Sequence, residues 1–229
     1  MGVASHAGGS FSPLAERPTP SRLWAWFGPR SHVAFLLLNR LMVPLLRAGA
    51  GPWMGTPATG YVLLLEVVGR RSGTTRRIPL SYLILDGSAW VLAGYGVRTQ
   101  WYLNLRADPQ VTVRLPGRTV RCCAEEVHDP GVRARVIPRL ARVAGLAGFL
   151  IGCNPWTASD ARILGLLDWI PLIRLSPGAE PLSAGPDDPG GLGWVWRQAI
   201  ALAVVGIVLR SGFRALRALT HAAARPRAG

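Results

Sequence analysis

Four arginines fall within eight positions of one short stretch: Arg70, Arg71, Arg76 and Arg77. Gly69 and Gly73 frame the first pair, with Ser72 between them. Glycines so placed mark a turn, so the two pairs should sit on adjoining strands close in space. Like charges that near repel by roughly a kcal/mol each. An oxyanion relieves that cost, because a guanidinium fork holds phosphate or carboxylate through paired hydrogen bonds and never deprotonates. Backbone N–H groups of the turn and the Ser72 hydroxyl would add donors. The competing reading is a solvated basic hairpin in an arginine-rich chain, and spacing alone leaves both open.

Composition narrows the chemistry. All 26 basic residues are arginine, against 12 acidic ones, for a formal charge of +14. Without lysine there can be no Walker A lysine and no Schiff base. Cys122 and Cys123 are adjacent, so on a strand they point to opposite faces, and Cys153 stands apart. Three such thiols make no disulfide framework and point to a reducing compartment. His6, His32, His128 and His221 have no metal-ligand spacing, so no metal site is expected. His128 reads as a surface residue. The positive charge alone would suit nucleic acid, but no nucleic-acid motif accompanies it.

The elements that must position the arginines follow from periodicity and breakers. Residues 1–22 read as a disordered arm without a signal peptide, and 23–60 as an N-terminal helix followed by a Gly/Pro-rich linker. Residues 61–68 read as a strand, 76–85 as a second and 88–94 as a third. Asp86-Gly87 is the hairpin turn between the last two. Pro79 places part of the second strand at an edge or bulge. Residues 95–100 form a loop, and 101–107 a short helix stopped by Asp108-Pro109. Two strands around Pro116-Gly117 make another hairpin. Helices follow to about residue 168, and 169–175 is the last strand. The fold class is α+β, mainly β: a small split barrel of about six strands over residues 61–175, with helical appendages. Residues 176–191 read as a linker and 192–229 as an apolar helix with a basic tail. No GxGxxG follows a strand, so a Rossmann site is unsupported.

The ordered set of motifs resembles the deazaflavin (F420)-dependent nitroreductase-like family. The residues that carry it are Gly69-Arg70-Arg71-Ser72-Gly73, Arg76, Pro79-Leu80, Asp86-Gly87, Trp101-Tyr102-Leu103-Asn104-Leu105 and Asp108-Pro109-Gln110-Val111. They match in order and spacing across residues 61–127. The resemblance implies a split β-barrel oxidoreductase that holds coenzyme F420 in an extended groove. By that likeness Arg70, Arg71, Ser72 and Arg76 face the phosphate and the acidic tail. Ile78, Pro79 and Leu80 line the strand beside the ring system. Gly94, Tyr95, Gly96 and Arg98 belong to the loop that approaches the ligand. The first turn of the helix at Trp101 and Tyr102 points free N–H groups at the phosphate, and Asn104 is either a ligand contact or a local cap.

The implied reaction is hydride transfer to a quinone-like, nitro or other unsaturated small-molecule acceptor, with the coenzyme doing the chemistry. Some members shape the acceptor site with tyrosines. Here Ser81 stands at the first such place, and no tyrosine follows Tyr102, so no catalytic residue is assigned. FMN on the same barrel, or a non-catalytic binder of the coenzyme or of anionic lipid, are the alternatives.

Two apolar stretches, 32–49 and 191–212, remain. The uninterrupted core of the second, Ala199 to Leu209, is 11 residues, too short to span alone. Its basic tail argues for a cytoplasmic C-terminus, which would put the barrel outside if the helix crossed. A helix lying on the anionic cytoplasmic face avoids that conflict and makes the protein peripheral. Packing on the barrel, a homodimer contact, or a true single span are the other uses for such helices.

Overall fold

The computed structural model describes Arg40 and residues 42–223. The expected N-terminal arm, and the expected helix up to residue 39, lie outside the described residues. Six antiparallel strands close a barrel: β1 Val62–Val68, β2 Thr75–Leu85, β3 Ser88–Leu92, β4 Gln110–Leu115, β5 Arg118–Val127 and β6 Leu172–Pro177. Around the barrel they run β1-β2-β3-β6-β5-β4. The expected α+β barrel is therefore the fold. The last strand begins at Leu172 rather than Trp169.

Alternation along each strand divides the apolar residues between two cores. Leu63, Leu65, Val67, Val91, Val113 and Ile173 point inward with Tyr82 and Tyr102 to fill the barrel. Leu83, Trp90 and Leu172 point outward. On them pack the helices Pro130–Val143 and Asp160–Leu167, through Val136, Ile137, Leu140, Ile163 and Leu167. A period of two residues sends neighbours to opposite faces, and both faces here are covered. The first helix begins where Asp129 accepts a hydrogen bond from the Val132 N–H at 2.7 Å, with Pro130 just inside its start. Buried Arg133 then ties it to the turn before β6, donating to the Asp168 carboxylate at 2.9 Å and the Ile170 carbonyl at 3.1 Å.

β2 is the element that makes a site. Its second half, Tyr82–Leu85, pairs with β3, whereas residues 75–81 pair only with β1. One edge of that first half is open. The Tyr82 N–H bonds the Tyr61 carbonyl across to the β1 side. By alternation the Pro79 nitrogen faces the open edge, where a missing N–H breaks no ladder. At the other end of β2, Asp86 and Gly87 both have positive φ, at 51° and 71°, as a two-residue hairpin requires.

The two stretches read as linkers are docked. Gly60 has φ of 88°, and a Cβ there would stand 2.5 Å from the Ala144 carbonyl oxygen. The chain at 55–60 thus crosses the end of the Pro130–Val143 helix at backbone contact. In the 176–191 stretch, Asp188 is buried. It accepts from the Tyr82 hydroxyl at 2.5 Å and from Arg118 at 2.7 Å. Burial first, and then the adjacent carboxylate, push the Tyr82 phenol far above its ordinary range, so it remains a proton donor to Asp188. The helix Gly193–Ala223 leaves from this anchored stretch.

Candidate functional site

A groove of about 1180 Å³ runs along the open edge of β2, from the arginine turn to the loop after β3. It exceeds the usual span of small-ligand pockets, roughly 300–1,000 Å³, which suits an elongated ligand. Twelve of the residues expected at the site line it: Arg70, Arg71 and Ser72 from the turn, Arg76, Ile78, Pro79 and Leu80 from β2, Gly94, Tyr95 and Arg98 from the loop, and Trp101 and Asn104 from the helix Gln100–Ala107.

Two expected residues lie elsewhere. Tyr102 is fully buried in the barrel, and its hydroxyl donates to Glu126 at 2.6 Å. One residue on from Trp101 in a helix is a turn of 100°, which carries the side chain from the groove to the core. Gly96 is also buried. With φ of 75°, a Cβ there would meet the Trp169 ring at 3.0 Å, so this glycine serves helix packing and not the groove.

The backbone of the turn differs from expectation too. The Gly69 N–H bonds the Thr74 carbonyl at 2.9 Å, and the Ser72 and Gly73 N–H groups bond the Gly69 carbonyl at 3.1 and 2.7 Å. The Arg70 N–H goes to Asn104 Oδ1 at 3.2 Å. Ser72 and Thr74 join their hydroxyls at 2.8 Å. These amides close the turn on itself, so the guanidinium groups carry the anion-binding capacity.

Among the arginines, partners differ. Arg70 Nη1 donates to Asn104 Oδ1 at 3.0 Å and to Gln100 Oε1 at 3.2 Å. Asn104 is 6% exposed, and its single oxygen brackets the turn to the helix. Its oxygen is engaged by Arg70, and the residue still lines the groove. Arg77 is held by Glu66 at 2.8 Å, and Arg114 reaches the same carboxylate at 2.9 Å. Burial would raise the Glu66 carboxyl, but the hydrogen bonds and charges of the two arginines outweigh it and hold it below the ordinary value. Arg71, Arg76 and Arg98 have no carboxylate partner among the described residues.

The far end of the groove is apolar. Leu140, Ala141 and Ala144 from the Pro130–Val143 helix and its end, Ala147 and Ile151 from the following 3-10 segment, and Ile170 before β6 close it. The apolar period of that helix is readable in sequence, but nothing there says that its last turn faces a cavity. Ser81 lines the groove as well. No aspartate, glutamate, histidine or cysteine does, among the described residues. The site can bind and orient an anion with an apolar body. It lacks the carboxylates, imidazoles and thiols that side-chain acid–base or nucleophilic catalysis would use. An acidic, elongated redox coenzyme fits that donor set.

Residues 38–145 match the family described as F420H(2)-dependent quinone reductase, an oxidoreductase family that works with coenzyme F420. The match bears out the family resemblance, the enzyme class and the coenzyme read from the sequence. Solved structures similar to the chain include an F420-H2 dependent reductase, at 21% identity and a TM-score of 0.36, covering 50% of this chain and 93% of that one. A conserved hypothetical protein of Mycobacterium tuberculosis is similar at 17% identity and a TM-score of 0.39, covering 58% and 80%. A third likeness is to a pyridoxamine 5'-phosphate oxidase-like protein of Listeria innocua, at 12% identity and a TM-score of 0.37, covering 52% and 84%. With TM-scores this low, the barrel is assigned from its own strand pairing.

Proposed function

From the premise that residues 38–145 belong to the F420H(2)-dependent quinone reductase family, we propose that the chain reduces a quinone-like, nitro or other unsaturated acceptor. When bound, reduced F420 supplies the hydride. Arg71, Arg76 and Arg98 hold its phosphate and acidic tail, and Arg70 is the brace that keeps the turn against Gln100 and Asn104. The first turn of the Gln100–Ala107 helix carries no side-chain cap, so its free N–H groups add to that end of the site. Ile78, Pro79 and Leu80 flank the ring system, opposite Gly94. The apolar end excludes water from the acceptor, which favours uncharged, lipophilic molecules. The barrel works in the cytoplasm against the cytoplasmic face of a membrane, where such acceptors partition.

The observation that carries this reading is that Arg71, Arg76 and Arg98 line the groove with no carboxylate partner among the described residues, while its far end is apolar. Titration with F420 and with FMN, followed by fluorescence, tests it. F420 should bind and its reduced form should be oxidised on adding menadione. Tighter binding of FMN, or no binding of F420, sinks the reading.

A further inference from the structure

The helix Gly193–Ala223 lies beyond the stretch that matches the family, and no part of the described structure covers its apolar length. Leu202, Val204, Val205, Ile207, Val208 and Leu209 are each more than half exposed. Between Ala199 and Leu209 there is no polar side chain at all, so every face is apolar. A helix lying in a headgroup layer needs a polar side, and a helix packed on the barrel would bury one. Ala199–Leu209 offers no polar side, and the most apolar window of Gly193–Arg214 is 0% buried.

Its dimensions and ends fit a different environment. At about 1.5 Å per residue, those 22 residues measure about 33 Å, against about 30 Å for a hydrocarbon core. Trp194 and Trp196 stand at one end, where aromatic rings favour the headgroup level, and Arg210 and Arg214 stand at the other. Arginines there can reach outward to anionic headgroups. The body end is bolted down. Arg197 forms a two-point ion pair with Asp187, with Nη2 to Oδ2 at 2.7 Å, and Nη1 also donates to the Pro52 carbonyl at 3.1 Å. The cation nearest the barrel is thereby neutralised before it would meet lipid.

We propose that Gly193–Arg214 crosses a lipid bilayer and tethers the barrel to it. The crossing is proposed without a direction: the arginines beyond Leu209 favour a cytosolic tail, whereas a cytosolic coenzyme favours a cytosolic barrel. The insertion itself stands apart from the coenzyme reading.

The full chain should be mixed with phosphatidylcholine vesicles, with and without phosphatidylglycerol, floated, and washed with high salt and then alkaline carbonate. The protein should stay with both vesicle types through both washes. A Val205→Glu/Ile207→Glu variant, altered where nothing else is touched, should be retained at least about tenfold less, with F420 affinity unchanged. Three outcomes overturn the proposal: release of the wild type by salt alone, a vesicle-indifferent protein that runs as a discrete dimer, or a double variant retained like the wild type.

Discussion

Arg76 and Arg77 are neighbours on β2, yet their charges end differently. Arg77 shares the Glu66 carboxylate with Arg114, whereas Arg76, like Arg71 and Arg98, has no carboxylate partner among the described residues, although these three and Arg77 all line the groove. The first cluster is a cross-strand ion network that closes on itself. The second is a set of cations along the groove that an anionic ligand would neutralise. In an arginine-rich chain, then, the count of arginines says little. The missing carboxylate is what marks a site, and only the fold reveals which arginines lack one.

Removing the open cluster should have the largest effect. An Arg71→Ala/Arg76→Ala variant should weaken F420 by roughly tenfold per arginine, about a hundredfold together, since hydrogen bonds to charged groups contribute roughly 1.5–3 kcal/mol and these side chains are exposed. The loss should shrink as salt is raised. Melting temperature should not fall, because neither guanidinium is bonded within the described residues. A variant that binds F420 normally would move the site away from the turn.

Gly94 offers the next test. It lines the groove at the end away from the turn, and a Cβ built there meets no atom within 4 Å. Gly94→Leu should therefore fill the groove beside the ring system at little cost to the barrel. An F420 affinity lowered at least about tenfold, with melting within about 2 °C of the wild type, is expected. The contrast with the arginine variant is diagnostic, since a steric block should be insensitive to salt. Normal binding in Gly94→Leu would place the coenzyme elsewhere along β2.

These two ends show what a sequence can disclose. The strands were legible because apolar residues alternate and because Asp86-Gly87 can serve only a tight hairpin. The turn at Gly69–Gly73 was legible from its residue types and its order among neighbouring motifs. The bracket made by Asn104 was not, since its partner Arg70 is 34 positions away and an asparagine in a helix has several local uses. Nor was the docking of Asp188, which meets Tyr82 across 106 positions in a stretch whose prolines and glycines read as a linker. Gly96 and the Tyr102 side chain lie off the groove for one reason. A loop and a helix beside a groove have inner faces as well, and packing against Trp169 and Glu126 took these two residues inward.

The closed cluster should give the smallest effect and the opposite signature. Glu66→Gln removes the carboxylate that holds Arg77 and Arg114, so stability at neutral pH should drop by up to about 1 kcal/mol, the range of partly exposed ion pairs. The Glu66 carboxyl is held below its ordinary value in the folded protein. Its contribution is therefore fully present above the unfolded value, about 4.3, and is lost as pH falls through the lower folded one. The gap between wild type and Glu66→Gln in urea unfolding should narrow across that acidic window and vanish below it. F420 affinity should change less than in either groove variant. If Glu66→Gln instead binds F420 more tightly, Arg77, which already lines the groove, has been freed to take the anion, and the division between satisfied and unsatisfied arginines becomes one that a single carboxylate controls.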